Sequence, residues 1–130
     1  MIVVDASALV DMILQTPIAA RLEQRLAAMG ETLHAPHLVD VEVAHALRRH
    51  AASGVITAAR GRQALTDLAE LRLERYPHQP IIARVWELRN NLSAYDAAYV
   101  ALAEALDAPL VTRDRRLANA PGHRAQIELI

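Results

Sequence analysis

Short apolar runs alternate with longer amphipathic stretches along the whole chain. Ile2–Val4 is an apolar, β-branched run that ends at Asp5, which predicts a buried strand entering a turn. Four further runs predict strands at 32–35, 71–76, 110–112 and, at a sheet edge, 126–129. The stretches between them have the three- and four-residue apolar spacing of helices. This alternation predicts one α/β domain over residues 1–130, with a small parallel sheet of four or five strands and helices on both faces.

Capping residues and helix breakers predict where the first helices begin and end. Thr16 and Pro17 predict a helix start, and Gly30 predicts its end. The apolar stripe between these points comprises Ile18, Leu22, Leu26 and Met29. A second helix is predicted from Pro36 toward Gly54. Its expected core-facing residues are Val39, Val43, Ala46 and Leu47.

The second half of the chain predicts three further helices. Thr57 is placed to cap the first of them, with Leu65, Leu68 and Leu71 expected to face the core. The next follows Pro80 and has Ile81, Val85 and Leu88 at helical spacing. Ser93 is placed to cap the last, over residues 94–106. This last helix is apolar nearly all round, so it is expected to be buried.

Two acidic residues lie where an apolar side chain is expected. Glu42 follows Val39 by three residues and precedes Ala46 by four, so it shares the core-facing side of its helix. Asp96 lies in the first turn of the helix over 94–106. A buried carboxylate requires a partner. Structural explanations remain open, since Asp96 can close a capping box with Ser93 and Glu42 can reach solvent or pair with an arginine.

Two more acids, Asp5 and Asp114, follow predicted strands. In open parallel sheets, ligands bind at the carboxyl ends of the strands. Taken singly, Asp5 and Asp114 are as well explained as helix caps. Four carboxylates converging on this edge would repel one another unless a divalent cation balanced them. Oxygen ligands favour Mg²⁺ over zinc, and Mg²⁺ at such a site supports phosphodiester hydrolysis without a protein nucleophile.

Composition removes several other kinds of chemistry. All 14 basic residues are arginine, and the absence of lysine excludes P-loop phosphate binding and Schiff-base catalysis. The absence of cysteine excludes disulfides and thiolate sites, so a cytoplasmic location is the default expectation. No apolar run approaches the roughly 20 residues that span a bilayer, so no membrane association is expected. The net charge of −1 implies that RNA contacts would need a local arginine patch.

The acids lie within segments that together resemble one family. These segments are Val3–Leu9, the stretch from Pro36 through Glu42 to Arg49, Leu92–Ala103 and Leu110–Asp114. As an ordered set, they resemble the PIN-domain ribonuclease toxins of the VapC type. The resemblance implies a Mg²⁺- or Mn²⁺-dependent endoribonuclease that cleaves RNA and is neutralised by a VapB-like antitoxin protein.

Residue roles follow from the resemblance position by position. Asp5, Glu42, Asp96 and Asp114 would be the catalytic, metal-binding acids, and Ser7 and Thr112 would be supporting hydroxyls. Some members place another acid shortly after the last of these, where this chain has Arg115 and Arg116, which argues against a second tightly bound metal.

Arginines near the acids are candidates for binding the RNA backbone. Arg113, Arg115 and Arg116 flank Asp114, and we expect at least one of them to contact phosphate. Arg48 and Arg49 are interpreted individually as solvated surface residues. Apolar surface on the helices over 17–29 and 36–71 would suit an antitoxin helix or a homodimer.

Two alternatives to a nuclease are a receiver-like Mg²⁺-binding signalling domain and a non-catalytic PIN-fold scaffold. The receiver-like alternative would require a lysine that this chain lacks. The four retained acids argue against a scaffold, and metal-dependent RNA cleavage would separate all three.

Overall fold

Five short parallel strands form the centre of the computed structural model, which describes residues 1–130. The strands are β1 (Ile2–Val4), β2 (Leu33–Pro36), β3 (Leu73–Tyr76), β4 (Leu110–Thr112) and β5 (Ile127–Leu129). The helices are α1 (Ala6–Ile13), α2 (Ala19–Met29), α3 (Val39–Ala52), α4 (Ala58–Glu70), α5 (Ile82–Glu87), α6 (Ala94–Leu106) and α7 (Arg115–Ala118), with a 3-10 turn at Gln79–Ile81. The predicted α/β class is confirmed.

The strand order across the sheet is β3-β2-β1-β4-β5, and every neighbouring pair is parallel. The chain builds outward from β1 to β3 and then crosses back to add β4 and β5 on the other side of β1. This reversal leaves a crevice at the carboxyl ends of β1 and β4, the position where open α/β sheets bind ligands. Receiver domains have the order 2-1-3-4-5, so the receiver-like alternative is wrong.

Helices cover both faces of the sheet, as right-handed parallel crossovers require. The strand residues of β1 are completely buried, which explains their uninterrupted apolar sequence. α6 contacts β1, β2 and β4, and all seven of its residues from Ala97 to Ala103 are buried. The expectation of a buried helix over 94–106 is therefore confirmed. No helix of the chain combines the length and the apolar character needed to cross a bilayer.

The start of α2 differs from the prediction. The helix begins at Ala19, and the Thr16 hydroxyl donates to Asp11 Oδ1 at 2.7 Å instead of capping it. A hydrogen bond back to the end of α1 thus replaces the expected cap of α2. The end is as predicted, because Gly30 adopts a left-handed conformation with φ of 59°. Met29, expected in the apolar stripe, is 68% exposed because the helix is ending at that point.

The core-facing side of α4 also differs from the prediction. Gly61, Ala64 and Leu68 are the buried residues, whereas Leu65 is 41% exposed. The buried stripe formed by Gly61, Ala64 and Leu68 is centred about 65° around the helix from Leu65, so the larger leucine lies at its edge and is partly exposed. Thr57 does cap this helix, since its Oγ1 accepts the Arg60 N–H at 3.0 Å.

Candidate active site

All four predicted acids line one cleft at the carboxyl edge of the sheet. The cleft has a volume of about 320 Å³. Its polar lining consists of Asp5, Ser7, Glu42, His45, Arg49, Asp96, Tyr99 and Asp114. Asp5 follows β1, Asp114 follows β4, and Glu42 and Asp96 lie on α3 and α6, so only the folded chain brings them together.

Asp5 is the most constrained of the four acids. It is 6% exposed, and its Oδ1 accepts the Ser7 hydroxyl at 2.6 Å and the Ala8 backbone N–H at 3.0 Å. Its Oδ2 accepts the Thr112 hydroxyl. Burial raises the pKa of Asp5 more than these three hydrogen bonds lower it, and the charge of Asp96 raises it further. Asp5 is therefore the cap of α1 and also a wall of the cleft.

The two predicted supporting hydroxyls link the ends of β1 and β4. Thr112 is fully buried, and its Oγ1 accepts the Asp114 backbone N–H at 2.9 Å while donating to Asp5. Ser7 Oγ accepts the Arg113 backbone N–H at 3.0 Å while donating to Asp5. Both hydroxyls thus hold Asp5 in a defined orientation relative to the segment that follows β4.

Glu42 lies half-buried in the first turn of α3, and no cationic side chain balances the charge of its carboxylate. Its Oε1 is buried without a hydrogen-bond partner. Burial, followed by the charges of Asp96 and Asp5, raises the pKa of Glu42 to about 7. An arginine does not neutralise it, because the chain contains no ion pair between Glu42 and Arg49.

Asp96 combines a capping contact with a place in the cleft. Its backbone N–H donates to Ser93 Oγ at 3.1 Å, so the predicted cap of α6 forms. Its half-buried carboxylate faces the other acids. Burial and then the charge of Asp114 raise the pKa of Asp96, and this outweighs the opposing effects of Ser93 and Arg116.

Asp114 is the one acid whose charge is already balanced. It caps α7, and its Oδ1 accepts backbone N–H groups from Arg116 at 2.8 Å and Leu117 at 3.4 Å. Its Oδ2 accepts the Arg116 guanidinium at 3.1 Å. Burial opposes ionisation, but these hydrogen bonds prevail and lower the pKa of Asp114. Uncompensated charge is therefore concentrated on Asp5, Glu42 and Asp96.

The arginines near the acids differ in their partners and positions. Arg113 forms an ion pair with Asp11, Arg115 is exposed, and Arg116 pairs with Asp114 while its side chain remains 86% exposed. Arg49, interpreted from the sequence as solvated surface, lines the cleft, whereas Arg48 does not.

Arg49 and His45 could have been found from the sequence. Glu42, His45 and Arg49 are spaced i, i+3 and i+7, which places them on one face of α3. Sequence reasoning did not place these two residues in the cleft, because it interpreted Arg49 as a solvated surface residue and assigned no role to His45.

Comparison with known proteins shows the family of this chain. A model of the PIN domain matches residues 2–122. Ribonuclease VapC12 of Mycobacterium tuberculosis is 44% identical over 130 residues, covering 100% of this chain and 99% of the relative. This chain belongs to the VapC family of PIN-domain proteins. Ribonuclease VapC9 of the same organism is 52% identical over 119 residues, covering 92% of this chain and 90% of the relative.

The fold of this VapC-family chain is also found in solved structures. The crystal structure of VapBC2 from Rickettsia felis bound to a promoter DNA fragment matches with a TM-score of 0.71 and 20% identity. The match covers 99% of this chain and 98% of the other. The PIN-like fold expected from the sequence resemblance is therefore confirmed.

The cleft of this VapC-family chain suits a hard cation that retains water. No group of three or more His, Asp or Glu side chains converges closely enough to hold an ion by itself. Mg²⁺ typically binds through one or two carboxylates and keeps several waters, so it does not need such a group. The orphaned Glu42 Oε1 and the all-oxygen set of acids fit Mg²⁺, whereas zinc would require more than the one histidine in the lining.

Proposed function

We propose that this chain is a Mg²⁺-dependent endoribonuclease that acts as the toxin of a toxin–antitoxin pair, with Mn²⁺ able to substitute. The observation that supports the proposal best is the buried, unpartnered Oε1 of Glu42 in a cleft shared with three other acids. The curated relatives are ribonucleases by name, which supports RNA as the substrate.

The electrostatics of the cleft favour a bound cation. Asp5, Glu42 and Asp96 all have raised pKa values, because each is buried near other acids without an arginine partner. Repulsion of this kind is relieved by a divalent ion, which also attracts the phosphate of a substrate. Asp114 is paired with Arg116, so it adds little to the repulsion among the acids.

We assign different roles to the four acids. One or two of Asp5, Glu42 and Asp96 would ligate the ion directly, and the others would contact its waters. Asp5 is oriented for this by Ser7 and Thr112. Asp114 would orient the end of β4 and the adjacent Arg116, whose exposed guanidinium can reach a phosphate oxygen. No protein nucleophile is required.

The ion would supply Lewis-acid stabilisation of the phosphoryl group and a water with a lowered pKa. Glu42 Oε1, which has no competing hydrogen bond, is the protein atom best placed to accept a proton in the cleft. The pKa of about 7 belongs to the metal-free cleft, and a bound divalent ion would lower it and so favour the ionised carboxylate.

The partner that we propose is a VapB-like antitoxin. A structural relative was solved as a VapBC assembly, which supports this assignment. Exposed apolar side chains between residues 17 and 71 are Met29, Val41 and Leu65 on helices and Val55 in the turn between α3 and α4. We propose that this surface contributes to antitoxin binding or to a homodimer. We also propose a cytoplasmic site of action, in keeping with membership of the VapC family.

Cleavage of RNA under controlled metal conditions tests the proposal. Purified protein is expected to cleave selected RNAs with Mg²⁺ or Mn²⁺ and to lose this activity in excess EDTA. Asp96→Asn should abolish cleavage with the fold retained by circular dichroism. Glu70→Gln makes the same acid-to-amide change at an exposed residue at the end of α4, away from the cleft, and should be fully active.

Undiminished cleavage in EDTA, or in Asp96→Asn, would contradict the metal-dependent mechanism. A folded wild-type protein that binds a divalent ion but cleaves no RNA would instead favour the scaffold alternative.

A further inference from the structure

A second depression adjoins the acidic cleft on the side of α1 and α3. Ser7, Ala46 and Arg49 line both hollows, so the two lie side by side. The second hollow is completed mainly by His50 and Arg113. A linear polymer that leaves the cleft on this side therefore passes the Arg49 side chain.

The charge of the second hollow is opposite to that of the cleft. Arg49 takes part in none of the ion pairs of the chain, so its guanidinium is uncompensated. Arg113 is paired with Asp11, which also accepts the Thr16 hydroxyl, so the only acid in the hollow is already engaged. The hollow therefore has one positive charge without an ion-pair partner, on the guanidinium of Arg49.

Ser7 connects the second hollow rigidly to the acids. Its hydroxyl donates to Asp5 Oδ1 at 2.6 Å and accepts the Arg113 backbone N–H at 3.0 Å. The hollow thus has a defined position relative to the carboxylate at the centre of the cleft. Arg49 lies two turns along α3 from Glu42, on the same face of that helix.

We infer that Arg49 and the hollow around it bind the backbone phosphate of a nucleotide next to the cleaved bond. This inference rests on the proposed ribonuclease function and adds a position for the RNA strand. An acidic cleft repels the flanking phosphates, so the strand needs a cationic contact beside it. A guanidinium binds phosphate oxygens through paired N–H groups, and Arg49 has no internal partner that would compete.

Arg48 provides a matched control for this inference. It is the neighbouring residue on α3, is exposed like Arg49, and lines neither hollow. The single substitutions Arg48→Ala and Arg49→Ala therefore remove the same charge from the same turn. Non-specific electrostatics would affect both variants equally, whereas a built phosphate site would affect only Arg49→Ala.

The test measures binding of an oligoribonucleotide that the wild-type protein cleaves. Binding is measured in an Asp96→Asn background to prevent turnover, over a series of salt concentrations. We expect Arg49→Ala to weaken binding about tenfold and to reduce the salt slope by about 0.7, the value for one phosphate contact on a single strand. Arg48→Ala should match the parent, and Arg49→Lys should restore most of the salt slope.

Neutral methylphosphonate links, introduced one at a time, locate the contact. One link adjacent to the cleaved bond should weaken binding to the parent but not to Arg49→Ala. Equal affinity of Arg49→Ala and Arg48→Ala, or equal sensitivity of the parent and Arg49→Ala to every link, would overturn the inference. If the wild-type protein cleaved no RNA at all, the proposed ribonuclease function would be wrong. That result differs from one in which the wild-type protein cleaves RNA but Arg49→Ala binds it as well as Arg48→Ala does.

Discussion

The side chains of Thr112 and Asp5 are hydrogen-bonded to each other across adjacent strands, although they lie 107 residues apart in the sequence. Thr112 also accepts the Asp114 backbone N–H, so one buried hydroxyl orients two acids of the cleft. Parallel pairing of β1 with β4 makes this contact possible, because it aligns the carboxyl ends of the two strands.

Thr112→Val should impair both stability and cleavage. Valine matches the shape of threonine but leaves the buried Asp5 Oδ2 and the Asp114 N–H without this partner. We expect a loss of about 1–3 kcal/mol in the free energy of unfolding, and a cleavage rate reduced about ten- to a hundredfold through misplaced acids. Urea denaturation and RNA cleavage assays measure these effects.

Thr112→Ser keeps the hydroxyl and should retain most of the activity. Thr66→Val, at an exposed position on α4, controls for the same substitution elsewhere. Wild-type cleavage by Thr112→Val would show that this hydroxyl does not position the acids.

Glu42 should make the metal-free protein less stable as pH rises. Its pKa is raised from 4.5 to about 7, so between these values the folded protein holds the proton that the unfolded chain releases. The free energy of unfolding should therefore fall across this window. Glu42 is half-exposed and screened by solvent, so its contribution to this fall in the free energy of unfolding is about 1–2 kcal/mol.

Glu42→Gln should remove that share of the pH dependence and stabilise the metal-free protein at pH 8. Urea denaturation at pH 5 and pH 8 in EDTA measures both changes, with Glu70→Gln as the control. Mg²⁺ should stabilise wild type at pH 8 more than it stabilises Glu42→Gln. Identical pH profiles for wild type and Glu42→Gln would contradict the assigned electrostatics.

Arg84 should stabilise the fold through the buried acid Glu104. The Glu104 side chain is 2% exposed, and its two oxygens accept Arg84 Nε at 2.7 Å and Nη2 at 3.1 Å. Arg84→Met leaves this carboxylate without its guanidinium, so we expect a loss of about 3 kcal/mol in the free energy of unfolding. Thermal and urea denaturation measure the loss.

Combining Arg84→Met with Glu104→Met should recover much of that stability, because the unpaired charge is removed as well. Arg89→Met provides a control, since Arg89 stacks on the exposed Trp86 and pairs with no acid. A double variant no more stable than Arg84→Met would show that packing of the arginine, and not charge pairing, is responsible.

Most secondary structure was predictable because it depends on local sequence. The strands at Ile2–Val4 and Leu110–Thr112 and the helix over 94–106 follow from apolar runs and from a serine cap. The start of α2 was not predictable, because Thr16 bonds to Asp11 rather than to the helix. The outward orientation of Leu65 was missed because small residues occupy the core side of α4.

The sequence by itself singled out the four acids as candidates, because a charged residue on an apolar helix face or after a buried strand is conspicuous and because the segments that contain them resemble one family. Only the tertiary structure decided how their charges are balanced. Arg116 pairs with Asp114 while Glu42 has no partner, and Arg49 lies in the cleft while Arg113 is held by Asp11. Such pairings depend on distances between side chains from separate elements, and those distances exist only after the sheet has assembled.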